Sequence, residues 1–136
     1  WYGRGPWENY PDRKTSCLIG RWSSKVSSQY THYPRPQDSG NHEDVTEVTL
    51  TNKEGKGIRV TAIDRPFSFS ALYYTVDDIY KATHDCDLKP RKEIILSLDA
   101  AVLGLGNSSC GPGVLKKYAI DKQKPHTLRV RFSLIK

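Results

Sequence analysis

The sequence predicts a mainly β protein, an antiparallel β-sandwich with one short helix. Two segments alternate apolar and polar residues with the period of two that half-buried strands require, Val45–Thr51 and Thr127–Ile135. The turn Asn-Lys-Glu-Gly at residues 52–55 separates the first of them from a returning strand, Gly57–Ile63, which predicts an antiparallel hairpin. Several strands and long loops around a single helical segment are typical of a sandwich.

The N-terminal third combines many aromatic rings with little regular structure. Residues 1–13, WYGRGPWENYPDR, predict an ordered loop or a short irregular strand with its rings shielded from water. We predict a strand over Thr15–Trp22 and a second extended stretch over Ser27–Tyr33, before Pro34 and Pro36 interrupt the chain. A region with so few strands is expected to leave sheet edges that need partners from elsewhere.

The remaining elements follow from local signals. Arg65–Ser70 is extended, with both of its Phe side chains on one face, and Lys92–Ala101 is a strong strand. A helix is predicted over Val76–Thr83, because Thr75 and Asp78 form a capping box and the acidic first turn suits the helix dipole. The side chains expected to face the sheet are those of Ile79, Tyr80 and Ala82. The glycine-rich stretch Val102–Gly113 is expected to be irregular.

Length and composition limit the function classes. The 136 residues suit one domain or part of one, and no apolar run approaches the roughly 18 residues of a membrane span. The net charge of +6 raises the question of nucleic acid, but the basic residues are scattered along the sequence and predict a solvated surface. The chain begins with Trp and contains no Met, which favours a processed chain or a piece of a longer protein.

The cysteines do not form a recognisable framework. Cys17, Cys86 and Cys110 are odd in number and lack the paired spacing of a zinc site. We interpret them as free and mostly buried thiols, although one disulfide among them remains an alternative.

Carboxylates are the first candidates for catalysis, because glycoside chemistry uses them in pairs. Asp77 and Asp78 are explained by helix capping. Glu8 and Asp12 flank aromatic residues, and we interpret them as buried partners of Arg4 and Arg13 rather than as catalysts.

Other constellations are equally incomplete. The four histidines lack metal-ligand spacing, and in His84-Asp85-Cys86-Asp87 consecutive residues of one loop rarely converge on one ion, so no metal site is predicted. The glycines around Gly104 and Gly111 lack a following helix and are better explained by turns. Asn107-Ser108-Ser109 fits a glycosylation acceptor, which matters only in a secreted eukaryotic protein.

Several stretches, taken in order, resemble glycoside hydrolase family 2 β-galactosidases of bacteria. The N-terminal WYGRGPWENYPDR resembles that family's W-x-G-x-G-P-x-E-N-Y-x-D-R motif. Later stretches resemble segments of the family's C-terminal domain, in the same order along the chain. These are Tyr30–Gln37, Pro66–Ser70, Thr83-His84, Leu98-Asp99 with Gly104–Gly106, and Ser109–Pro112.

This resemblance implies a fold and a place in a larger enzyme. The C-terminal domain of the family is an antiparallel super-sandwich similar to galactose mutarotases, and residues 1–136 would form its second half. The parent would be a retaining β-galactosidase that hydrolyses terminal β-D-galactosides such as lactose. Its two catalytic Glu residues and a magnesium ion, with a sodium ion as a further option, would lie in a catalytic barrel ahead of this chain. No catalytic residue and no metal ligand is therefore assigned here, and the chain alone is expected to be inactive.

The resemblance also implies that this domain reaches the sugar site through the loop before the F-x-F strand. In this sequence that loop carries no Trp and consists of Ile63, Asp64 and Arg65. We expect these three residues at the rim of the substrate site, unless the loop merely packs against the barrel.

Two other functions remain as alternatives. A free-standing carbohydrate-binding module would use exposed aromatic rings, and a nucleic-acid binder would need clustered positive charge. Under the family reading, the partners are the other domains of the parent and its β-galactoside substrate, with no nucleic acid and no membrane, and the isolated chain should self-associate. The compartment is left open between the cytoplasm and periplasm of a bacterial parent.

Overall fold

The computed structural model describes residues 1–106 and 111–136, and this part is mainly β, as predicted. It contains eight strands and one α-helix, α1, over Val76–Lys81. The strands are β1 (Tyr2–Gly5), β2 (Leu18–Arg21), β3 (His42–Val45), β4 (Glu47–Thr51), β5 (Gly57–Ala62), β6 (Phe67–Leu72), β7 (Ile95–Asp99) and β8 (Val130–Ile135). Short 3-10 turns cover Val26–Ser28, Asp85–Asp87 and Lys116–Tyr118.

The strands form two antiparallel sheets. The larger sheet has the order β2-β1-β4-β5-β8, and the smaller has the order β3-β6-β7. The predicted hairpin is confirmed as β4–β5, in which Val48 lies opposite Val60 and Thr51 opposite Gly57. A side chain at Gly57 would collide with the Leu50 carbonyl oxygen, 1.8 Å from the position of its Cβ, so only glycine fits the start of this returning strand.

The two sheets pack face to face and enclose the main core. Val48 and Val60 contribute from the larger sheet, and Phe67, Phe69 and Ala71 from the smaller one. Both Phe side chains face inward, as the sequence predicts, because alternate residues of a strand share a face. Burial of such apolar side chains, at roughly 25 cal/mol per Å², is the main stabilising contribution of this interface.

One predicted strand is in fact two strands in different sheets. The alternation over Val45–Thr51 predicts a single element, but β3 ends at Val45 and β4 begins at Glu47. Asp44 has a positive φ of 57°, and the β3–β6 register shifts between His42 and Val45. A bulge of this kind bends the strand and allows the chain to pass from one sheet to the other, so that Val45 and Val48, three residues apart, are both buried in the core.

Three further expectations for the N-terminal third are wrong in part. The stretch Ser27–Tyr33 is not a strand; it begins inside a 3-10 turn that is closed by Ser28 N donating to Lys25 O. The strand predicted over Thr15–Trp22 is present as β2 but covers only Leu18–Arg21. The rings of residues 1–13 are not all shielded, since Trp7 is exposed, whereas Tyr10 is buried.

Helix α1 begins where the capping box predicts. Asp78 N donates to Thr75 Oγ1 over 3.1 Å, and Thr75 N donates to Asp78 Oδ2 over 2.8 Å. Ile79 is buried with Tyr30 and Leu72 in a second small cluster. Tyr80 is exposed, contrary to expectation, because the helix is only six residues long and presents a single narrow stripe to the sheet.

The last strand leaves part of its predicted apolar face in solvent. Leu128 and Val130 pack against the core, but Phe132 is 61% exposed and Leu134 is 79% exposed. Among the described strands β8 pairs only with β5, so its other edge is open. We call Phe132, Leu134 and this open edge the β8 flank.

The thiols differ from one another. Cys17 is buried and free, as predicted, whereas Cys86 is free but exposed, because it lies in a short 3-10 turn at the surface. Cys110 and the glycosylation triplet at Asn107 lie outside the described residues. None of the helices in the described ranges has both the length and the apolar character needed to cross a bilayer.

Candidate functional site

The loop expected at the substrate rim follows β5 and stands at the surface beside β8. Ile63 is exposed. Asp64 accepts a hydrogen bond from Arg129 Nε, and Arg65 donates to the carbonyl oxygen of Thr127. Both polar side chains are therefore tied to the segment that leads into β8, which fixes the course of the loop.

This loop forms one wall of a hollow of about 300 Å³. The floor is the outer face of the larger sheet, opposite the core. The residues that line it are Tyr2, Arg21, Thr46, Glu47, Thr61, Ala62 and the loop residues 63–66. The hollow thus combines an aromatic residue, two threonines and charged residues of both signs.

The floor is a row that runs across the strands. Tyr2 of β1 lies opposite both Arg21 of β2 and Glu47 of β4, and Glu47 lies opposite Thr61 of β5. Residues in direct register project to the same face, so these side chains stand side by side. Arg21 Nη1 donates to Glu47 Oε1 over 3.1 Å, and its guanidinium carbon is 5.8 Å from the Tyr2 ring centroid.

The N-terminal motif builds a buried hydrogen-bond network around Glu8. The carboxylate accepts hydrogen bonds from Tyr10 Oη over 3.2 Å, from Gly40 N over 2.9 Å and from the Tyr33 hydroxyl. Arg13 Nη1 lies 3.7 Å from it, which confirms the predicted partner. Burial, followed by the neighbouring Glu8 charge, raises the pKa of Tyr10 far above its ordinary value. Both oxygens of the Glu8 carboxylate therefore accept hydrogen bonds that order the loop.

The partner of Arg4 differs from the one that the sequence predicts. Arg4 pairs with Asp44 over 2.5 Å, not with Glu8 or Asp12, and its guanidinium also donates to Lys14 O and Cys17 O. It therefore fastens the loop before β2 to the bulge within β3.

Asp12 is held by backbone amides of a distant loop. Its carboxylate accepts from Leu105 N over 2.9 Å and from Gly106 N over 2.7 Å. Partial burial raises its pKa, but these two amides outweigh that effect and hold the pKa below its ordinary value. A Cβ at Gly104 would lie 2.9 Å from the carboxylate, and Gly106 has a φ of +61°, so both glycines are required by this contact.

This contact borders a second hollow. It measures about 420 Å³ and is lined by Asp12, Arg13, Gly106, Pro112 and Tyr118, among others. Three motif segments that are far apart in the sequence therefore meet at one place. Within residues 1–106 and 111–136, no three His, Cys, Asp or Glu side chains converge as metal ligands.

Comparison with known proteins identifies the family. Residues 1–134 match the family model described as the β-galactosidase small chain. The chain belongs to the β-galactosidase small-chain family.

Curated relatives of this small-chain family member are β-galactosidases. That of Kluyveromyces lactis is 36% identical over 124 residues, which cover 90% of this chain and 12% of the relative. That of Arthrobacter sp. (strain B7) is 33% identical, covering 96% of this chain and 13% of the relative. The β-galactosidase BgaC of Bifidobacterium adolescentis is 35% identical, covering 98% of this chain and 13% of the relative. The chain thus spans about one eighth of the length of these relatives.

Sequence reasoning did not find the floor of the first hollow. Tyr2, Arg21, Glu47 and Thr61 come from four strands, and each is an unremarkable outward position within its own strand. The only available signal was the alternation itself, which marks Glu47 and Thr61 as outward-facing. Their alignment depends on the registers of three strand pairs, which no local pattern specifies.

Proposed function

We propose that this chain is the C-terminal part of a β-galactosidase of glycoside hydrolase family 2, which hydrolyses terminal β-D-galactosides such as lactose. The family match over residues 1–134, together with a length about one eighth of the β-galactosidase relatives, carries the proposal. In a retaining mechanism two carboxyl groups lie about 5–5.5 Å apart across the glycosidic bond. We assign both of them, and the magnesium ion expected of the family, to the part of the enzyme that precedes this chain.

The role of the chain itself is then structural. Glu8 accepts hydrogen bonds from three donors, and Asp12 is occupied by two backbone amides, so neither carboxylate is available as an acid or a nucleophile. The isolated chain should consequently be inactive.

The β8 flank is a surface on which the preceding part of the enzyme can pack. Two large apolar side chains beside an open strand edge form a surface that a stable isolated domain would normally cover or interrupt with charge. Most of the length of the relatives lies outside this chain, and a preceding segment of the same polypeptide is close at hand with no loss of translational freedom. We therefore assign the cover of the β8 flank to that segment.

The loop Ile63–Arg65 is proposed as part of the substrate rim. Its exposure beside a hollow is consistent with that role, and its polar ends are already fixed by Arg129 and Thr127. Ile63 then offers the apolar contact, while Asp64 and Arg65 act mainly by holding the loop in position. In the whole enzyme, Ile63→Ser should reduce transfer of galactose to a sugar acceptor, with hydrolysis of an aryl galactoside nearly unchanged. Unchanged transfer would contradict the rim assignment.

The decisive experiment compares the whole enzyme with the chain alone, using a chromogenic aryl β-galactoside. The purified chain should give no turnover, and the whole enzyme should be active. Introducing Phe132→Asp together with Leu134→Asp into the whole enzyme should lower both its thermal midpoint and its activity. The matched control is Tyr80→Asp, which changes an exposed ring on α1 and should alter neither quantity. Turnover by the chain alone, or a fully stable and active double variant, would overturn the proposal.

A further inference from the structure

We infer that the hollow between the outer face of the larger sheet and the loop 63–66 binds the ring of a neutral saccharide, with Tyr2, Arg21 and Glu47 as contact residues. This inference rests on the proposed function, because it assigns a ligand class to the surface that adjoins the proposed rim. It adds three binding residues from strands β1, β2 and β4, none of which belongs to the loop itself.

The hollow has the size and shape to hold one sugar ring. The hollow measures about 300 Å³, which accommodates a single pyranose ring and its hydroxyl groups. It is open towards solvent, so a longer oligosaccharide could enter with the next sugar unit outside. Its wall is fixed, because Asp64 and Arg65 are bound to Arg129 and Thr127. A preformed wall spares the ligand the cost of ordering a loop.

The floor of the hollow carries groups that suit a sugar. Tyr2 is 43% exposed, and its aromatic ring supplies an apolar plane on which the C–H face of a sugar can rest. Beside it, Arg21 and Glu47 both line the hollow and are joined over 3.1 Å, and this single contact leaves further guanidinium donors and a second carboxylate oxygen for a ligand. Thr61, in register with Glu47 on the same face, adds a hydroxyl group that can both donate and accept. An aromatic plane beside hydrogen-bond donors and acceptors matches a polyhydroxylated ring.

The ion pairs around the hollow favour a neutral sugar over an anion. Arg21 is neutralised by Glu47, which also lies 3.8 Å from Arg59. Asp64 is paired with Arg129. The lining therefore has no unpaired acidic group to hold a cation. Arg65 donates to the carbonyl oxygen of Thr127, which engages part of its guanidinium. A phosphate or an acidic peptide would have to compete with Glu47 for Arg21.

The test is a titration of the ¹⁵N-labelled chain with lactose and with methyl β-D-galactoside, followed by amide shifts. We expect saturable shifts at Thr46, Glu47 and Thr61–Asp64, with a dissociation constant of about 1–10 mM, and little effect of added salt. Tyr2→Ala and Glu47→Gln should each weaken binding by about three- to tenfold, since one stacking contact or one hydrogen-bond pair is lost. Because Tyr2 and Glu47 are surface positions, a dispersed amide spectrum will confirm that each variant is folded.

Matched controls keep the outcome specific. Tyr80→Ala and Glu54→Gln replace the same residue types at exposed positions away from the hollow, and both should leave the affinity unchanged. Absence of lactose shifts at the hollow, or shifts that occur only with phosphate and disappear in salt, would overturn the inference. Equal weakening by Tyr80→Ala would overturn it as well. The whole-enzyme activity comparison addresses the proposed function separately, since an active β-galactosidase can be found with or without lactose binding here.

Discussion

Phe132 lies directly opposite Val60 in the β5–β8 ladder, yet Val60 is 1% exposed and Phe132 is 61% exposed. Residues paired in this way project to the same face of a sheet. The core face of the larger sheet therefore continues past the edge of the smaller sheet, which covers Val60 but does not reach Phe132. Leu134, opposite Ile58, extends the same uncovered strip.

This strip should make the isolated chain self-associate. Replacing both Phe132 and Leu134 with Ser should shift the chain towards monomer in sedimentation velocity, because exposed apolar patches beside a free edge drive association. Leu115→Ser provides the control, since Leu115 is also exposed but lies in a loop away from β8. If the unmutated chain is monomeric, or if the double variant has the same distribution of oligomers, the β8 flank is not a contact surface.

Sequence patterns predicted the elements that are specified locally and failed where distant residues decide. The β4–β5 hairpin and the capping box of α1 depend on neighbouring residues, and both are confirmed. The break at Asp44 is different, because the bulge is stabilised by Arg4 and Lys14, which lie at least 30 residues away in the sequence. The exposure of Tyr80 depends on how short the helix is and on what it packs against, which periodicity does not report.

The candidate site shows the same division. The loop 63–65 could be selected from a sequence resemblance, since it adjoins a recognisable strand. The row formed by Tyr2, Arg21, Glu47 and Thr61 requires the registers of three strand pairs. Register is set by packing across the whole sheet, so no motif within a single strand can predict it.

Removing the N-cap of α1 should destabilise the chain. The Thr75 hydroxyl accepts from Asp78 N, and Thr75→Ala should lower the free energy of unfolding by about 0.5–2 kcal/mol. Urea denaturation should show a lower midpoint with an unchanged slope. Thr83→Ala, at an exposed position beyond the helix, is the control and should leave the midpoint in place. An unaltered midpoint in Thr75→Ala would mean that the cap makes no net contribution.

Burial of His42 should make the chain sensitive to acid. The ring is 1% exposed, Nε2 donates to Gln29 Oε1 over 2.6 Å, and Trp1 and Phe69 pack against its faces. Desolvation is the largest cause that lowers its pKa from 6.5 to about 4. The unfolded state therefore binds a proton near pH 6.5 while the native state stays neutral, so stability is full above pH 6.5 and falls as the pH drops towards 4.

The loss should amount to about 2–4 kcal/mol over that interval, at 1.36 kcal/mol per pKa unit. Urea titrations at several pH values should show the decline, and His42→Gln should flatten it, although the variant will be less stable at neutral pH. His126→Gln, which changes an exposed ring, should show the same decline of stability with falling pH as the unmutated chain. If the His42 variant retains the full acid-dependent decline, other groups are responsible for it.

Glu8 should matter for folding and not for catalysis, although it stands in the motif that most resembles a glycosidase sequence. Its buried carboxylate accepts hydrogen bonds from Tyr10, Tyr33 and Gly40. In Glu8→Gln one oxygen becomes an amide donor that faces other donors, so the free energy of unfolding should fall by about 1–3 kcal/mol. Glu54→Gln, in the exposed β4–β5 turn, should have almost no effect. In the whole enzyme, Glu8→Gln should keep kcat/KM for an aryl galactoside within a few-fold at temperatures where the variant is folded. A fall of about a hundredfold or more in a folded variant, the size expected for loss of a general acid or base, would place Glu8 in the chemistry instead.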